Sequence, residues 1–261
     1  WFSKKKVKVY SHPDRPFQKN ISAVTKKELK SVSLVIVLGG DGTYLTAVRM
    51  LNGCRIPILG VNMGSLGFLT QVQRKDLHKT LQKTLDGKME KRPRTMLEMK
   101  VVRKGKAAAI PKYTALNDIV IERGAVSQLM NVSIFANDNL VNEVKADGII
   151  VATATGSTAY NLAAGGPILQ PQMKATLVTP ICPHSLTNRP IIFDDKQTLR
   201  FLIKNKWHHS FITVDGQSRG ELEPGDEVII KRSSHDHYVL REPTDNYFDL
   251  LREKLSFGER S

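Results

Sequence analysis

A chain of 261 residues with 41% hydrophobic content can bury a sizeable core, as one large domain or as two modest ones that share a cleft. Its 39 Lys and Arg against 25 Asp and Glu give a formal charge of +14, which favours anionic partners without choosing among nucleic acid, acidic membrane and small phosphorylated ligands. Apolar runs such as Ser33 to Leu38 and Gly148 to Ala152 fall far short of the ~20 residues of a membrane helix, and Cys54 and Cys182 offer neither a disulfide framework nor zinc spacing. The expectation is a reducing compartment, the cytoplasm, with no membrane partner; a targeting segment ahead of Trp1 is not visible. The basic residues spread through Lys4 to Lys8, Lys26 to Lys30, Arg74 to Lys91 and Arg103 to Lys112 without interleaved aromatics, so they read as solvated surface rather than a nucleic-acid groove.

In chain order, Val7 to Tyr10, Leu34 to Leu38 and Ile56 to Val61 read as strands, and Thr43 to Leu51 and Lys75 to Leu85 as helices. That alternation predicts an α/β domain with a parallel sheet over residues 1–95. After Pro93 the rhythm changes to closely spaced strands with no long helical pattern between them: Leu97 to Arg103, Ile119 to Arg123, Asn131 to Phe135, Gly148 to Ala152, Thr198 to Ile203, Ser210 to Val214 and Glu227 to Arg232. Turn residues at Asn137-Asp138-Asn139, Asp215-Gly216 and Pro224-Gly225-Asp226 support a mostly β second domain over 96–242. Phe248, Leu251 and Leu255 recur at helical intervals, so the tail 243–261 is expected to pack back on the first domain.

The strand Leu34 to Leu38 runs directly into Gly39-Gly40-Asp41-Gly42-Thr43 and then into a helical segment. Glycines let a ligand approach the amides closely, and the free N–H groups of a helix start favour phosphate. A dinucleotide fingerprint would need a glycine where Leu45 stands, and a P-loop would need Gly-Lys-Ser/Thr at the end of the run. The aspartate is the unusual feature. Beside phosphate it would accept a proton from an attacking hydroxyl or help hold Mg²⁺; on local sequence alone it caps its own helix equally well.

Further blocks make a resemblance specific: Gly60-Val61-Asn62-Met63-Gly64-Ser65-Leu66-Gly67-Phe68-Leu69-Thr70, Ala115-Leu116-Asn117-Asp118, Asp147-Gly148 through Thr155-Gly156-Ser157-Thr158-Ala159-Tyr160, Gly165-Gly166-Pro167, and Leu250 to Leu255. With the Gly-Gly-Asp-Gly-Thr run they span from about Leu34 to the tail, and the chain resembles the ATP-NAD kinase family, bacterial members most closely. The short run alone is shared more loosely with lipid and sugar kinases.

The resemblance implies transfer of the terminal phosphate of ATP, with Mg²⁺ or another divalent cation, to the 2′-hydroxyl of the adenosine ribose of NAD, in a cleft between the two domains. Asp41 would be the catalytic carboxylate, with Gly39, Gly40, Gly42 and Thr43 around the donor phosphates and no metal ligand of the protein's own. Asn117 and Asp118 would hold ribose hydroxyls, Asp118 standing where a longer glutamate is common. Asn62 and Phe68 would wall the cleft, and Asp147, Thr155, Ser157, Thr158, Ala159, Tyr160 and Asp215 would surround NAD. Some of these come from a neighbouring subunit in related enzymes, so a homo-oligomer, a tetramer or else a dimer, is implied. Ser65 replaces a frequent basic residue, and the stretch before Leu34 is short enough to abbreviate a helix of longer relatives.

Histidines add little. His208-His209 and His235-Asp236-His237 lack a ligand set at metal spacing and read as exposed loop residues, while His184 is expected to fix a loop by hydrogen bonding. Ser157 is outside any Gly-x-Ser-x-Gly elbow, so no hydrolase triad is supported. Two other readings stand beside the NAD kinase one: a lipid or sugar kinase with the same glycine turn, and a basic nucleic-acid-binding protein indifferent to Asp41.

Overall fold

The structure, a computed structural model, describes residues 1–14, 21–103, 106–124, 128–204 and 209–256. The first half contains α1 (Lys26–Leu29), β1 (Val35–Leu38), α2 (Asp41–Leu51), β2 (Ile58–Asn62), β3 (Val72–Gln73), α3 (Leu77–Leu85) and β4 (Glu90–Arg94). β5 (Leu97–Arg103), β6 (Lys106–Ala115), β7 (Asp118–Arg123), β8 (Met130–Ala136), β9 (Asn139–Ala146) and β10 (Gly148–Thr153) follow. After the one-turn α4 (Tyr160–Ala163) come β11 (Ala175–Ile181), β12 (Ile191–Asp194), β13 (Leu199–Ile203), β14 (Ser210–Val214), β15 (Gln217–Leu222), β16 (Glu227–Arg232), β17 (His237–Arg241) and α5 (Tyr247–Leu255).

β1, α2 and β2 form a parallel crossover unit, Val35 pairing Ile58 and Leu38 pairing Val61. The sheet runs β1-β2-β17-β4, with β3 on β2. Its β1, β2, β3 and β17 neighbours are parallel, whereas β4 joins antiparallel at the edge, so the sheet is mixed rather than wholly parallel. His237–Arg241 belongs here, although by position it falls in the second stretch of the chain. Pairing overrides sequence order because Val239 sits opposite both Ile58 and Arg92.

The remaining strands make two antiparallel sheets, ordered β12-β11-β10-β7-β14-β15 and β6-β5-β16-β13-β8-β9. Their facing sides share one apolar core that includes Met99, Ile119, Ile149, Phe201, Ile212 and Ile230. Alternate residues Val120, Ile150 and Ala152 turn to a second cluster with Ala154, Leu169 and Leu177. β10 is therefore buried along its whole length, which is why its sequence is a continuous apolar run rather than an alternation. A third cluster, Tyr44, Val48, Ile58 and Leu69 with Met96 and Leu116, ties α2 to the start of the β-rich half.

Val7 to Tyr10 forms no strand. A turn at Ser3–Lys5 leaves Lys6 left-handed at φ 55° and uses the Val7 N–H on Phe2 O at 3.2 Å, so pairing is reduced to one bridge between Ser11 and Ala23. The single-turn α1 lies ahead of Leu34 and opens on a Thr25–Glu28 capping box. α5 buries Leu250 and Leu251 and sets Lys254 Nζ 6.0 Å from the Phe68 ring. Arg92 of β4 anchors the segment before it by donating to the carbonyls of Glu242, Pro243 and Asp245.

Candidate active site

The apolar β1 ends at the sheet's carboxyl edge, and the chain turns at Gly39 and Gly40 into α2. A Cβ on Gly39 would lie 2.7 Å from Thr43 Oγ1, so the turn requires glycine there. Gly40 and Gly42 face open space instead. The first-turn amides of α2 have no intrahelical acceptor, and that open side lets an anion reach them.

Asp41 does not cap its own helix, whose N-cap Gly40 has no side chain to use. Its carboxylate reaches across to the turn after β2: Oδ2 accepts from Phe68 N at 2.8 Å, and Oδ1 accepts from Leu69 N, Thr70 N and Thr70 Oγ1, each at 3.0 Å. Gly67 permits this approach, since a Cβ there would fall 2.2 Å from Asp41 Oδ1. Oδ1 is saturated, whereas Oδ2 keeps a lone pair for one further proton. The helix-cap reading of Asp41 is thereby replaced by a carboxylate clamped from outside. Phe68 is held beside it and Asn62 is buried behind, bracing its own loop through Gly64 N and Ser65 O.

At the start of β7 two buried carboxylates meet. Asp215 is left-handed at φ 47° in the β14–β15 turn, which aims its oxygens at the start of β7. It accepts from Leu116 N at 2.9 Å, Asn117 N at 2.8 Å and Asp118 N at 3.3 Å. Burial raises its pKa against those bonds, with Arg49 of α2 the nearby cation. Burial, then the charge of Asp215, pushes Asp118 up to about 7, opposed by a hydrogen bond from the Tyr160 backbone. Asn117 is fixed through its backbone: its carbonyl accepts from Thr153 N at 2.9 Å, and a Cβ on Gly156 would come within 2.1 Å of that oxygen.

The run Thr155–Thr158 is a 3-10 turn between β10 and α4. Thr155 and Thr158 line the cleft, and Thr155 Oγ1 is buried without a partner. Ala159 is half-buried and Tyr160 is 43% exposed. Ser157 is fully buried, and its hydroxyl donates to Ala154 O and accepts from Leu169 N at 3.0 Å, which braces the turn. Asn161 does the same, joining Ser157 O, Pro167 O and Thr179 Oγ1.

Asp147 lies apart from these residues within one chain. It is paired with Arg123 Nε at 2.9 Å at the far end of β10, six residues or about 20 Å from Thr153 along the strand. His237 is likewise not an exposed loop residue; it is buried in β17, where Nε2 meets Tyr44 OH at 2.8 Å, and burial lowers its pKa to about 3. His208 lies outside the described residues. His184 donates its backbone N–H to Lys145 O at 2.9 Å, and its ring has no partner among the described residues.

No motif announced Arg94 and Arg241, both buried against the cleft together with Phe68, Thr155 and Tyr247. Arg241 Nη2 donates to Phe68 O at 3.3 Å and Leu69 O at 2.9 Å, bracing from behind the turn that clamps Asp41. Gly67 and Asn161 were equally silent, although both sit in glycine- or hydroxyl-rich blocks.

Two family models match in tandem: the ATP-NAD kinase N-terminal domain over residues 2–89 and the ATP-NAD kinase C-terminal domain over 116–242. The chain belongs to the ATP-NAD kinase family. A curated NAD kinase from Bdellovibrio bacteriovorus is 53% identical over 97% of this chain and 83% of its own length. One from Syntrophotalea carbinolica is 44% identical over 88% and 80%. Among solved structures, yeast NADH kinase complexed with NADH is similar at a TM-score of 0.86 with 32% identity, over 98% of this chain and 76% of that one. An NAD kinase from Archaeoglobus fulgidus in complex with ATP reaches 0.76 with 23% identity, over 98% and 92%, and shares the fold. The N-terminal model spans the Asp41 turn and its clamp, and the C-terminal model spans Asn117, Asp118, the Thr155–Tyr160 turn and Asp215.

Proposed function

We propose that the chain is an NAD kinase that moves the terminal phosphate of ATP to the 2′-hydroxyl of the adenosine ribose of NAD. The observation that carries this is the placement of Asp41, with one lone pair of Oδ2 unspent, at the open N-terminus of α2. The α2 amides favour the donor phosphates. The ribose oxygen attacks the terminal phosphorus as the bridging P–O bond breaks, and the hydroxyl proton passes to Asp41 Oδ2. Late transfer suits so weak a base, because the hydroxyl acidifies only as the new bond forms.

Asp118 and Asn117 orient the acceptor ribose, with Asp215 fixing their backbone, while Thr155, Thr158, Ala159 and Tyr160 shape the wall around the base. A Mg²⁺ would be carried by the phosphates of ATP, with Asp41 as the neighbouring carboxylate. Such an ion would supply neutralisation of charge on the donor.

Asp147 serves the cleft of a second copy in a cytoplasmic homo-oligomer, a tetramer. Leu140 at 57%, Leu186 at 88% and Ile192 at 49% exposure put apolar side chains on β9, β12 and the loop between β11 and β12, as such an interface needs. The two-domain division places residues 1–95 with the tail against 96–242, except that β17 pairs in the first sheet.

Incubating the protein with NAD, ATP and Mg²⁺ and detecting NADP with an NADP-specific dehydrogenase tests the reaction. NADP from the parent that is nearly lost in Asp41→Asn supports it. No NADP from folded, assembled parent removes it and turns attention to lipid or sugar acceptors.

A further inference from the structure

We propose that the buried pair Arg94 and Arg241, with Thr155, forms a second phosphate-binding subsite, separate from the α2 N-terminus, for a phosphate of the nucleotide in the cleft. The nucleotide as the source rests on the kinase reading above; the subsite itself rests on geometry.

Arg94 is 7% exposed and Arg241 3%, and neither is in an ion pair with a carboxylate among the described residues. Arg94 Nη1 donates to its neighbour Pro93 O at 2.9 Å. Arg241 spends Nη2 on the 68–69 carbonyls and leaves Nη1 buried with no acceptor. Thr155 Oγ1 is also buried without a partner and lines the same pocket. Several other polar groups facing this space are already engaged: Arg92 with Glu90 and the 242–245 carbonyls, Tyr247 OH on Leu169 O, and Asp245 Oδ2 with Glu242 N. Burial, then the charge of Arg241, brings Arg94 down to about 10, so it remains a cation at neutral pH.

Two desolvated guanidinium groups and a hydroxyl, pointed into one pocket where Asp245 is the lining carboxylate and Asp41 the other acid charge felt by Arg241, call for an acceptor with several oxygens and more than one negative charge. Phosphate has both, and guanidinium matches its geometry. The same Arg241 braces the turn whose amides hold Asp41, so an occupant would also fix that turn from behind.

The test is calorimetric titration of the full chain with inorganic phosphate and with pyrophosphate at constant ionic strength, using the parent, Arg94→Met, Arg94→Lys and Thr155→Val. The expected result is saturable binding by the parent, weakened about 10- to 100-fold by Arg94→Met and partly restored by Arg94→Lys. Should Arg94→Met fail to fold, Thr155→Val keeps the volume and is expected to weaken binding several-fold. No saturable binding by the parent, or parent affinity in folded Arg94→Met or Thr155→Val, overturns the subsite, because phosphate at α2 alone ignores both changes. A parent that forms NADP while failing this titration keeps the reaction and loses the subsite; one that binds phosphate through Arg94 but makes no NADP keeps the subsite and loses the nucleotide as its source.

Discussion

Replacing Asp41 by Asn should destabilise the fold as well as stop turnover. The carboxylate accepts four hydrogen bonds, three at Oδ1 and one at Oδ2. An amide has one acceptor oxygen, so the variant orients it to keep the three and presents its NH₂ to Phe68 N–H, donor against donor. One charge-assisted bond is lost and one backbone donor is left unpaired, about 1–3 kcal/mol. For a chain of this size that lowers the melting temperature by roughly 2–10 °C. Loss of the proton acceptor adds about 10²- to 10⁴-fold in kcat. Thermal unfolding alongside the NADP-coupled assay reads both, with Thr70→Val as the comparison. That change removes one of the four bonds from a buried hydroxyl and keeps the carboxylate, so it should lower stability with a much smaller loss of kcat. An Asp41→Asn variant that melts with the parent would show that the clamp does not form and would remove the physical basis for the placement of Oδ2.

Gly156→Ala puts a methyl group 2.1 Å from Asn117 O, a backbone atom that yields only if β7 shifts, so a loss of about 1–3 kcal/mol and a raised KM for NAD are expected from unfolding and steady-state kinetics. Asp118 is raised to about 7, so from pH 3.8 to about 7 the folded state holds a proton the unfolded state has released; its contribution to stability is therefore full below 3.8 and falls as pH rises through 7. Asp118→Asn should flatten that slope, worth at most about 4 kcal/mol, and should abolish the fall in KM for NAD expected as the carboxylate ionises near pH 7. Tyr44→Phe leaves the buried His237 Nε2 without its 2.8 Å partner and should cost about 1–3 kcal/mol in chemical denaturation while NADP formation survives.

The crossover β1–α2–β2 was legible because its hydrophobic period changes at the glycines, and the β-rich half because its central strands are apolar throughout. The strands that escaped notice lie mostly at edges. β4 carries Pro93, which has no N–H to donate, and β9 exposes most of its residues, so neither shows a buried pattern. In the site, the glycine turn and the acids at 118 and 215 were readable as turn residues, but not that Asp215 organises the start of β7 from 97 to 99 residues away. Arg94 and Arg241 are two among 39 basic residues, and only tertiary burial separates them from the solvated ones. Nor did the hydroxyl-rich run show in advance that Ser157 would bond to Ala154 O and Leu169 N, because both partners depend on how the chain folds.

The buried arginines sit on the first sheet and the buried acids on a second one, a separation that on the kinase reading proposed above would orient a nucleotide. On one side stand the α2 N-terminus and the buried arginines; on the other, Asp118 and Asp215, with burial holding protons on them more tightly than in water. Phosphates are drawn to the buried cations and find no such attraction at the acids. A ribose is neutral and donates hydroxyl protons, so the acid wall favours it. The Thr155–Tyr160 turn touches both walls, with Thr155 in the arginine pocket and the Tyr160 amide on Asp118. On the kinase reading proposed above, a ligand with a phosphate at one end and a ribose at the other would therefore have one favourable direction, its phosphate toward the arginines and its sugar toward Asp118.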